Sequence, residues 1–396
     1  MLDIDYIPER LPHREKQLME LMNIFGSLLQ SGREARKAPK VLVLGDIGTG
    51  KTVTTKRFGQ IITAEAQRRG VKLYYVHINC RKQRGSFFNI LLTAIKKVNP
   101  KYPSRGFAAQ ELTDALMDAL DQEDALMILT LDDAEALLEI QDKKRKTDPF
   151  YSLSRAHDDR LGPVRLALIC ILRDPSKLDA LDEATKSTLM EYVIKMPRYT
   201  KEQLMDILAD RVRLAFFEDV VRDEVVEFIA EVAAGRGDAR YAIDLLWRAG
   251  KLAEQEGSPE VLPQHVRKAI ASGVLPLIRK DVLEALPLHA KLLLLAIART
   301  FKHTDEAYVP MGDAEETYRM VCEEFKQKPR KHTQVWKYMK ELSQLNIISA
   351  VPSGPGVRGR TTLISLPIPA EALEKALLEY LEKELEPGVD GGNGPR

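Results

Sequence analysis

Residues 45–52 read Gly-Asp-Ile-Gly-Thr-Gly-Lys-Thr, the spacing GxxxxGK[ST]. Glycines at these intervals let successive backbone N–H groups turn toward phosphate oxygens. A lysine in this place would neutralise β- and γ-phosphates, and the following hydroxyl would ligate Mg²⁺. Gly45, Asp46, Ile47, Gly48, Thr49, Gly50, Lys51 and Thr52 are therefore a candidate cradle for ATP or ADP. A chance glycine turn is the alternative. The context favours the cradle, because the β-branched run Val41–Leu44 precedes it and a helical pattern follows, whose N-terminal dipole adds to anion binding. A second acidic feature lies downstream, where Ile128–Leu131 runs into Asp132 and Asp133. A carboxylate at the C-terminal edge of a buried strand faces the crevice in which phosphates sit. Asp132 is thus a candidate Mg²⁺ partner, and Asp133 a candidate group to orient or deprotonate an attacking water. A strand-end Asp capping the next helix is the competing account.

These residues need a scaffold, and the pattern supplies one. Val41–Leu44, Leu73–Asn79, Ala125–Asp133, Val164–Leu172 and Tyr192–Pro197 are apolar, β-branched runs separated by amphipathic stretches of helical length. That alternation predicts five parallel strands buried on both faces by helices. Residues 200–272 then read as helices throughout: Lys201–Phe217, Arg222–Ala234, Asp238–Gln255 and Pro263–Ala271. The composition is compatible with such a chain. It carries 59 Lys+Arg against 58 Asp+Glu, so a basic surface can arise only by local segregation. Cys80, Cys170 and Cys322 lie far apart without disulfide or metal spacing, which predicts a reducing, intracellular setting. No signal pattern or membrane-spanning run is present, so a cytoplasmic, nucleoid-associated protein with no membrane partner is expected.

Beyond Pro276 the pattern becomes three helices and a hairpin. Leu286–Phe301 is an apolar helix and Asp313–Phe325 a second. The third, Thr333–Leu345, has Val335, Met339, Leu342 and Leu345 on one side and Thr333, Lys337 and Lys340 on the other. Arg330 and Lys331 precede it, Gln334 lies within its first turn, and no acid intervenes between Arg330 and Lys340. Such a face suits a recognition helix in a DNA groove. Ile347–Val351 and Thr361–Leu366 flank a glycine-rich tip carrying Arg358, Gly359 and Arg360, placed to enter a minor groove or hold phosphates. Helix–turn–helix plus hairpin is a winged helix, a form that also binds protein, and a solvated loop is the plain account of the tip. Glu371–Glu386 reads as an acidic amphipathic helix, and 388–396 has no core-forming residues and is expected to be a disordered tail.

The phosphate loop, LTLDDAE, RYTKEQLMDILADR, AAGRGDARYAIDLLWRAG, PLHAKLLLLAIAR and GVRGRTTLI occur in an order that resembles the archaeal replication initiators related to the origin recognition complex and the cell-division-cycle helicase loader. The resemblance implies an AAA+ fold: a nucleotide domain over 1–199, a helical lid over 200–275, a winged-helix domain over 276–370 and a C-terminal helix and tail over 371–396. It implies that Pro12, His13 and Arg14 lie near the adenine, with Ile7 and Leu11 beside them. It assigns Arg240 to a lid arginine that reaches the γ-phosphate. It also gives Ser104, Arg105 and Gly106 to an insertion that touches duplex DNA, where a plain connecting loop is the alternative.

Two departures stand out against that family. A polar sensor, commonly Asn, usually follows the fourth strand, where this chain has Leu172-Arg173-Asp174. Asp174 in that place would bring negative charge toward the γ-phosphate. Where relatives offer an arginine acting on a neighbour's nucleotide, this chain has only Lys186. The implied activity is therefore slow ATP hydrolysis, a switch rather than a motor. The implied partners are origin duplex DNA, the replicative helicase and a paralogous initiator. The alternative is a regulatory or signalling ATPase whose winged helix binds protein.

Overall fold

In the computed structural model, residues 1–3, 6–31, 38–139, 149–156, 162–271, 283–284, 286–304, 306–345, 347–352 and 361–385 are described. The chain divides into two compact units, Asp3–Ile207 with Arg236–Arg240, and Leu208–Gly235 with the residues from Tyr241 onward.

The first unit is built on five parallel strands. In chain order its elements are α1 (Glu15–Ser31), β1 (Lys40–Leu44), α2 (Lys51–Arg68), β2 (Leu73–Asn79), α3 (Phe87–Val98), α4 (Ala109–Gln122), β3 (Leu126–Asp132), α5 (Glu135–Glu139), α6 (Pro149–Ser154), β4 (Leu166–Leu172), α7 (Glu183–Leu189) and β5 (Tyr192–Lys195). The sheet order is β2-β3-β4-β1-β5, and every pairing is parallel. All seven positions of β3 and of β4 are buried, which is why β4 reads as an unbroken apolar run and β3 as one interrupted only by Thr130 and the terminal Asp132. Alternate residues feed two cores. Leu129, Leu131, Leu168 and Cys170 pack with α3 and α4, whereas Ile128, Ala167, Ile169 and Ile171 pack with α1 and α2. Period-two alternation in the strands therefore sets both faces at once.

The helices after β5 are α8 (Lys201–Ala215), α9 (Asp223–Ala234), α10 (Ala239–Gln255) and α11 (Pro263–Ala271). All four expected helices form. The side chain of Asp238 accepts from the Arg240 amide at 2.9 Å, so the expected N-terminal stop of α10 is made by its capping carboxylate.

The C-terminal part contains α12 (Leu288–Lys302), β6 (Tyr308–Pro310), α13 (Met311–Glu324), α14 (His332–Gln344), β7 (Ser349–Pro352), β8 (Thr362–Ser365) and α15 (Ala370–Leu385). The α12 helix is buried from His289 through Ala298 and forms the spine of this core. The sequence pattern gave a two-stranded hairpin here. The sheet has three strands, ordered β6-β8-β7, because the short run Tyr308–Pro310 pairs antiparallel with β8.

Helices α9 and α11 share one unit with this C-terminal part and are joined to it by polar bonds. The Arg267 guanidinium, 4% exposed, donates to the Leu366 and Glu306 carbonyls and stacks over Phe301 at 4.7 Å. Glu231 accepts from Tyr308 Oη at 2.6 Å and Ser365 Oγ at 2.8 Å, and Glu224 accepts from the Ala307 amide at 2.7 Å. Among the described residues no helix is long and apolar enough to cross a membrane.

Candidate nucleotide and nucleic-acid sites

The loop between β1 and α2 takes the shape its glycines allow. Gly48 and Gly50 have φ of 73° and 86°, a region costly to residues with a Cβ. A Cβ on Gly48 would come within 1.7 Å of the Asp238 carboxylate, and one on Gly45 within 2.5 Å of the Met196 carbonyl. Lys51 is buried, and its ammonium donates to the carbonyls of Gly45 and Asp46 at 2.6 and 2.7 Å. Burial, and next the nearby Arg173, pull its pKa down from the ordinary lysine value, against the opposing pull of Asp132, Glu135 and Asp133. Asp46 and Ile47 are exposed, and Asp46 is paired with Arg198 at 2.6 Å.

A carboxylate cluster closes the other side. Thr52 Oγ1 donates to Asp132 at 2.9 Å, across the gap between the start of α2 and the end of β3. The same Asp132 oxygen lies 3.2 Å from His77 Nε2, and its other oxygen accepts from the Asp133 amide at 3.0 Å. Burial would raise the Asp132 carboxyl, but His77, Thr52 and the Asp133 amide together hold it below the usual carboxylate value. Asp133, at φ 50°, accepts from Asn79 Nδ2 at 2.9 Å and pairs with Arg173 at 2.7 Å. Glu135 is buried, accepts from the Arg173 amide through one oxygen, and its other oxygen has no partner among the described residues. The geometry thus separates the two residues after β4. Arg173 turns to the acidic pair, whereas Asp174 accepts from Ser176 and caps a 3₁₀ turn over Pro175–Ala180.

His77 and Asn79 were not singled out from the sequence. Both sit in an ordinary strand run, and only the β2–β3 register, which sets Asn79 opposite Asp132, brings them to the carboxylates. An oxygen-bearing pair such as Thr52 and Asp132 fits Mg²⁺, a hard cation that keeps water and phosphate among its ligands.

The N-terminal trio is split in role. Pro12 is buried, and His13, at φ 63°, pairs with Asp206 at 2.7 Å. Arg14 is 2% exposed and donates to the carbonyls of Thr49 (2.9 Å), His13 (2.8 Å) and Pro197 (2.7 Å) while lying 3.9 Å over the Tyr199 ring. It therefore braces the Gly45–Thr52 loop from within the protein. Arg240 is exposed at the start of α10. Lys186 pairs with Asp179 of its own chain at 2.6 Å, which raises its pKa.

On the winged helix, Val335, Met339 and Leu342 are buried, while Arg330, Lys331, Thr333, Gln334, Lys337 and Lys340 are all exposed. Leu345, expected on the buried side, is 45% exposed just beyond the end of α14. Ser104, Arg105 and Gly106 are exposed between α3 and α4, with Lys96 donating to Ser104 Oγ at 2.6 Å. Arg358, Gly359 and Arg360 lie outside the described residues, as does the tail beyond 385.

Comparison with known proteins accounts for this combination. The description "Cdc6 AAA+ ATPase-type lid domain" matches residues 205–271, and "CDC6, C terminal winged helix domain" matches 281–376. A family described as bacterial TniB protein matches residues 4–149. The ORC1-type DNA replication protein 2 of Sulfurisphaera tokodaii is 38% identical, over 97% of this chain and 93% of that protein. This chain belongs to the archaeal ORC1-type DNA replication proteins. Within the family, the S. tokodaii protein numbered 1 is 32% identical over 95% of this chain and 91% of its own length. Among solved structures, the Pyrobaculum aerophilum Cdc6 protein matches with a TM-score of 0.85 at 34% identity, covering 97% of this chain and 98% of that one. The Aeropyrum pernix ORC1 protein in complex with DNA matches with a TM-score of 0.61 at 29% identity, covering 96% and 95%. The fold is accordingly an AAA+ sheet domain with a helical lid and a C-terminal winged helix, as the sequence implied.

Proposed function

We propose that this ORC1-type protein is a nucleotide-switched replication initiator that binds duplex DNA. The reading is carried by Lys51, Thr52 and Asp132 coming together at the start of α2 and the end of β3, and by the exposed Arg330, Lys331, Lys337 and Lys340 on and just before α14, with no acid between Arg330 and Lys340. The loop amides and Lys51 would bind the phosphates of ATP or ADP. Thr52 and Asp132 would hold Mg²⁺, which when bound offsets charge on the phosphate oxygens. Asp133 would orient the attacking water, and its existing bonds to Asn79 and Arg173 keep that carboxylate occupied. Slow hydrolysis follows, since the base must leave a cation before it can accept a proton. Arg240 would report the γ-phosphate from the lid.

On the DNA side, Arg330, Lys331, Lys337 and Lys340 would meet phosphates, with Thr333 and Gln334 toward base edges. Ser104–Gly106 would supply a second contact from the AAA+ domain. Support comes from the A. pernix relative, whose structure is a complex with DNA. Identity to three of the family's proteins numbered 2 is 34–38%, against 31–32% to three of those numbered 1. We read recruitment of the replicative helicase as the output of the bound state.

The test is equilibrium binding of the purified chain to origin and random duplexes over a range of salt. Binding that weakens steeply with salt is expected, because each phosphate neutralised releases condensed counterions. A chain with normal nucleotide binding and no salt-sensitive duplex affinity would instead point to a protein-binding winged helix.

A further inference from the structure

Charge in this near-neutral chain is unevenly spread. No Asp or Glu occurs between Glu65 and Glu111, the longest acid-free run in the sequence. At its start, Arg68 and Arg69 pair with Glu65, and Lys72 pairs with Glu123. Beyond them come Arg81, Lys82 and Arg84, all exposed in the turn that joins β2 to α3.

That turn is rigidly built. The Cys80 amide donates to the Asp132 carbonyl at 2.7 Å, and the Gly85 amide returns to the Cys80 carbonyl at 2.9 Å. The Gln83, Arg84 and Ser86 amides bond to the carbonyls of Asn79, Arg81 and Gln83. The Lys82 amide donates to Asn79 Oδ1 at 2.9 Å, and Cys80 and Gly85 are buried. Arg84 and Gly85 both have positive φ, 52° and 61°, which reverses the chain and leaves the basic side chains outside. An arginine held in the left-handed region, where Asn or Gly is easier, is an outlier that invites a functional reading.

We propose that the turn Cys80–Ser86 is a phosphate-backbone contact for duplex DNA, made by Lys82 and Arg84 with Arg81 beside them. The α3 helix links this turn to the Lys96–Ser104 contact at its far end, a span of about 18 Å at 1.5 Å per residue. Phosphates recur every 3.4 Å along a strand, so a duplex running beside α3 meets cations at both ends within about five base pairs. The contact carries no base information; it fixes register and orientation while the winged helix reads sequence. The N-terminus of α3 adds its positive end to the same place, with Ser86 capping Asn89.

This inference rests on the reading that the chain binds duplex DNA, and the experiment separates the two. Full-length wild type, the double variant Lys82→Gln/Arg84→Gln and the charge-retaining Lys82→Arg/Arg84→Lys are titrated with one duplex across a salt series. The neutral variant should flatten the slope of log K against log salt by about 1.8, since each lost phosphate contact removes about 0.9. Affinity near 0.1 M salt should fall about tenfold or more, with nucleotide affinity and thermal unfolding unchanged. The charge-retaining variant should keep the wild-type slope. A neutral variant with the wild-type slope and affinity, alongside a Lys337→Gln/Lys340→Gln variant that does weaken binding, overturns the proposal and leaves the initiator reading standing. If wild type itself shows no salt-dependent binding, the initiator reading fails first. If the turn variant keeps its DNA slope but loses capture of an acidic protein, the turn is a protein contact and the proposal is wrong.

Discussion

Replacing Arg14 with Ala tests whether the phosphate loop is braced from inside the protein. The side chain is 2% exposed, and its three donor directions end on the carbonyls of Thr49, His13 and Pro197. Net contributions of about 1–1.5 kcal/mol per bond sum to about 3–4.5 kcal/mol, with stacking on Tyr199 adding about 1. Relief of the guanidinium's burial offsets part of this, and burial already pulls its pKa down. A net loss of about 3 kcal/mol remains, near 10 °C in the unfolding midpoint of a domain this size. Because the Thr49 carbonyl belongs to the loop, ATP and ADP affinity should fall together, by about tenfold. Arg14→Lys should recover little, since one ammonium cannot fork to three carbonyls. The assay is thermal unfolding without nucleotide, followed by nucleotide titration at a temperature where each variant is folded. Melting within 2 °C of wild type, with unchanged nucleotide affinity, would refute the bracing argument.

Further outcomes follow from the same geometry. Lys51→Ala should abolish nucleotide retention, and a variant that still co-purifies with ADP contradicts the loop assignment. Gly48→Ala forces a Cβ into the Asp238 carboxylate and into a φ of 73°, so nucleotide affinity should drop by about 1–2 kcal/mol as the Arg240 amide loses its cap; a titration matching wild type would show that the loop yields freely. Lys337→Gln with Lys340→Gln should reduce the salt slope of duplex binding by about 1.8 and weaken all sequences alike, whereas Gln334→Ala should cost about 1–3 kcal/mol on the preferred sequence only.

Much of this site was legible without coordinates, for reasons that differ residue by residue. The loop at Gly45–Thr52 could be proposed from sequence because phosphate binding needs glycines, a lysine and a hydroxyl at fixed local spacing, and the positive φ of Gly48 and Gly50 fits that proposal. The two faces of α14 were readable because helix periodicity is local, and Val335, Met339 and Leu342 are indeed buried while Lys337 and Lys340 are exposed. Strand β6 escaped notice because three residues carry no periodicity, and its pairing is with β8, far along the chain. His77 and Asn79 were missed for a related reason: their partners are fixed by β2–β3 register, not by neighbours in sequence. Arg173 and Asp174 show the limit most clearly. Either could end β4 facing the phosphates, and the choice is made by a capping bond from Ser176 that occupies Asp174 and frees Arg173 for Asp133. Arg14 was expected near the adenine by resemblance alone, and only packing shows that it is buried and bonded to the Thr49 carbonyl.

The most direct test of the whole account is one set of duplex footprints, taken with ATP and Mg²⁺, with ADP and Mg²⁺, and with no nucleotide. A protected region that changes in extent or affinity between ATP and ADP is the result expected of a nucleotide-switched initiator. Identical footprints in all three conditions, from a chain shown to bind nucleotide, would contradict it.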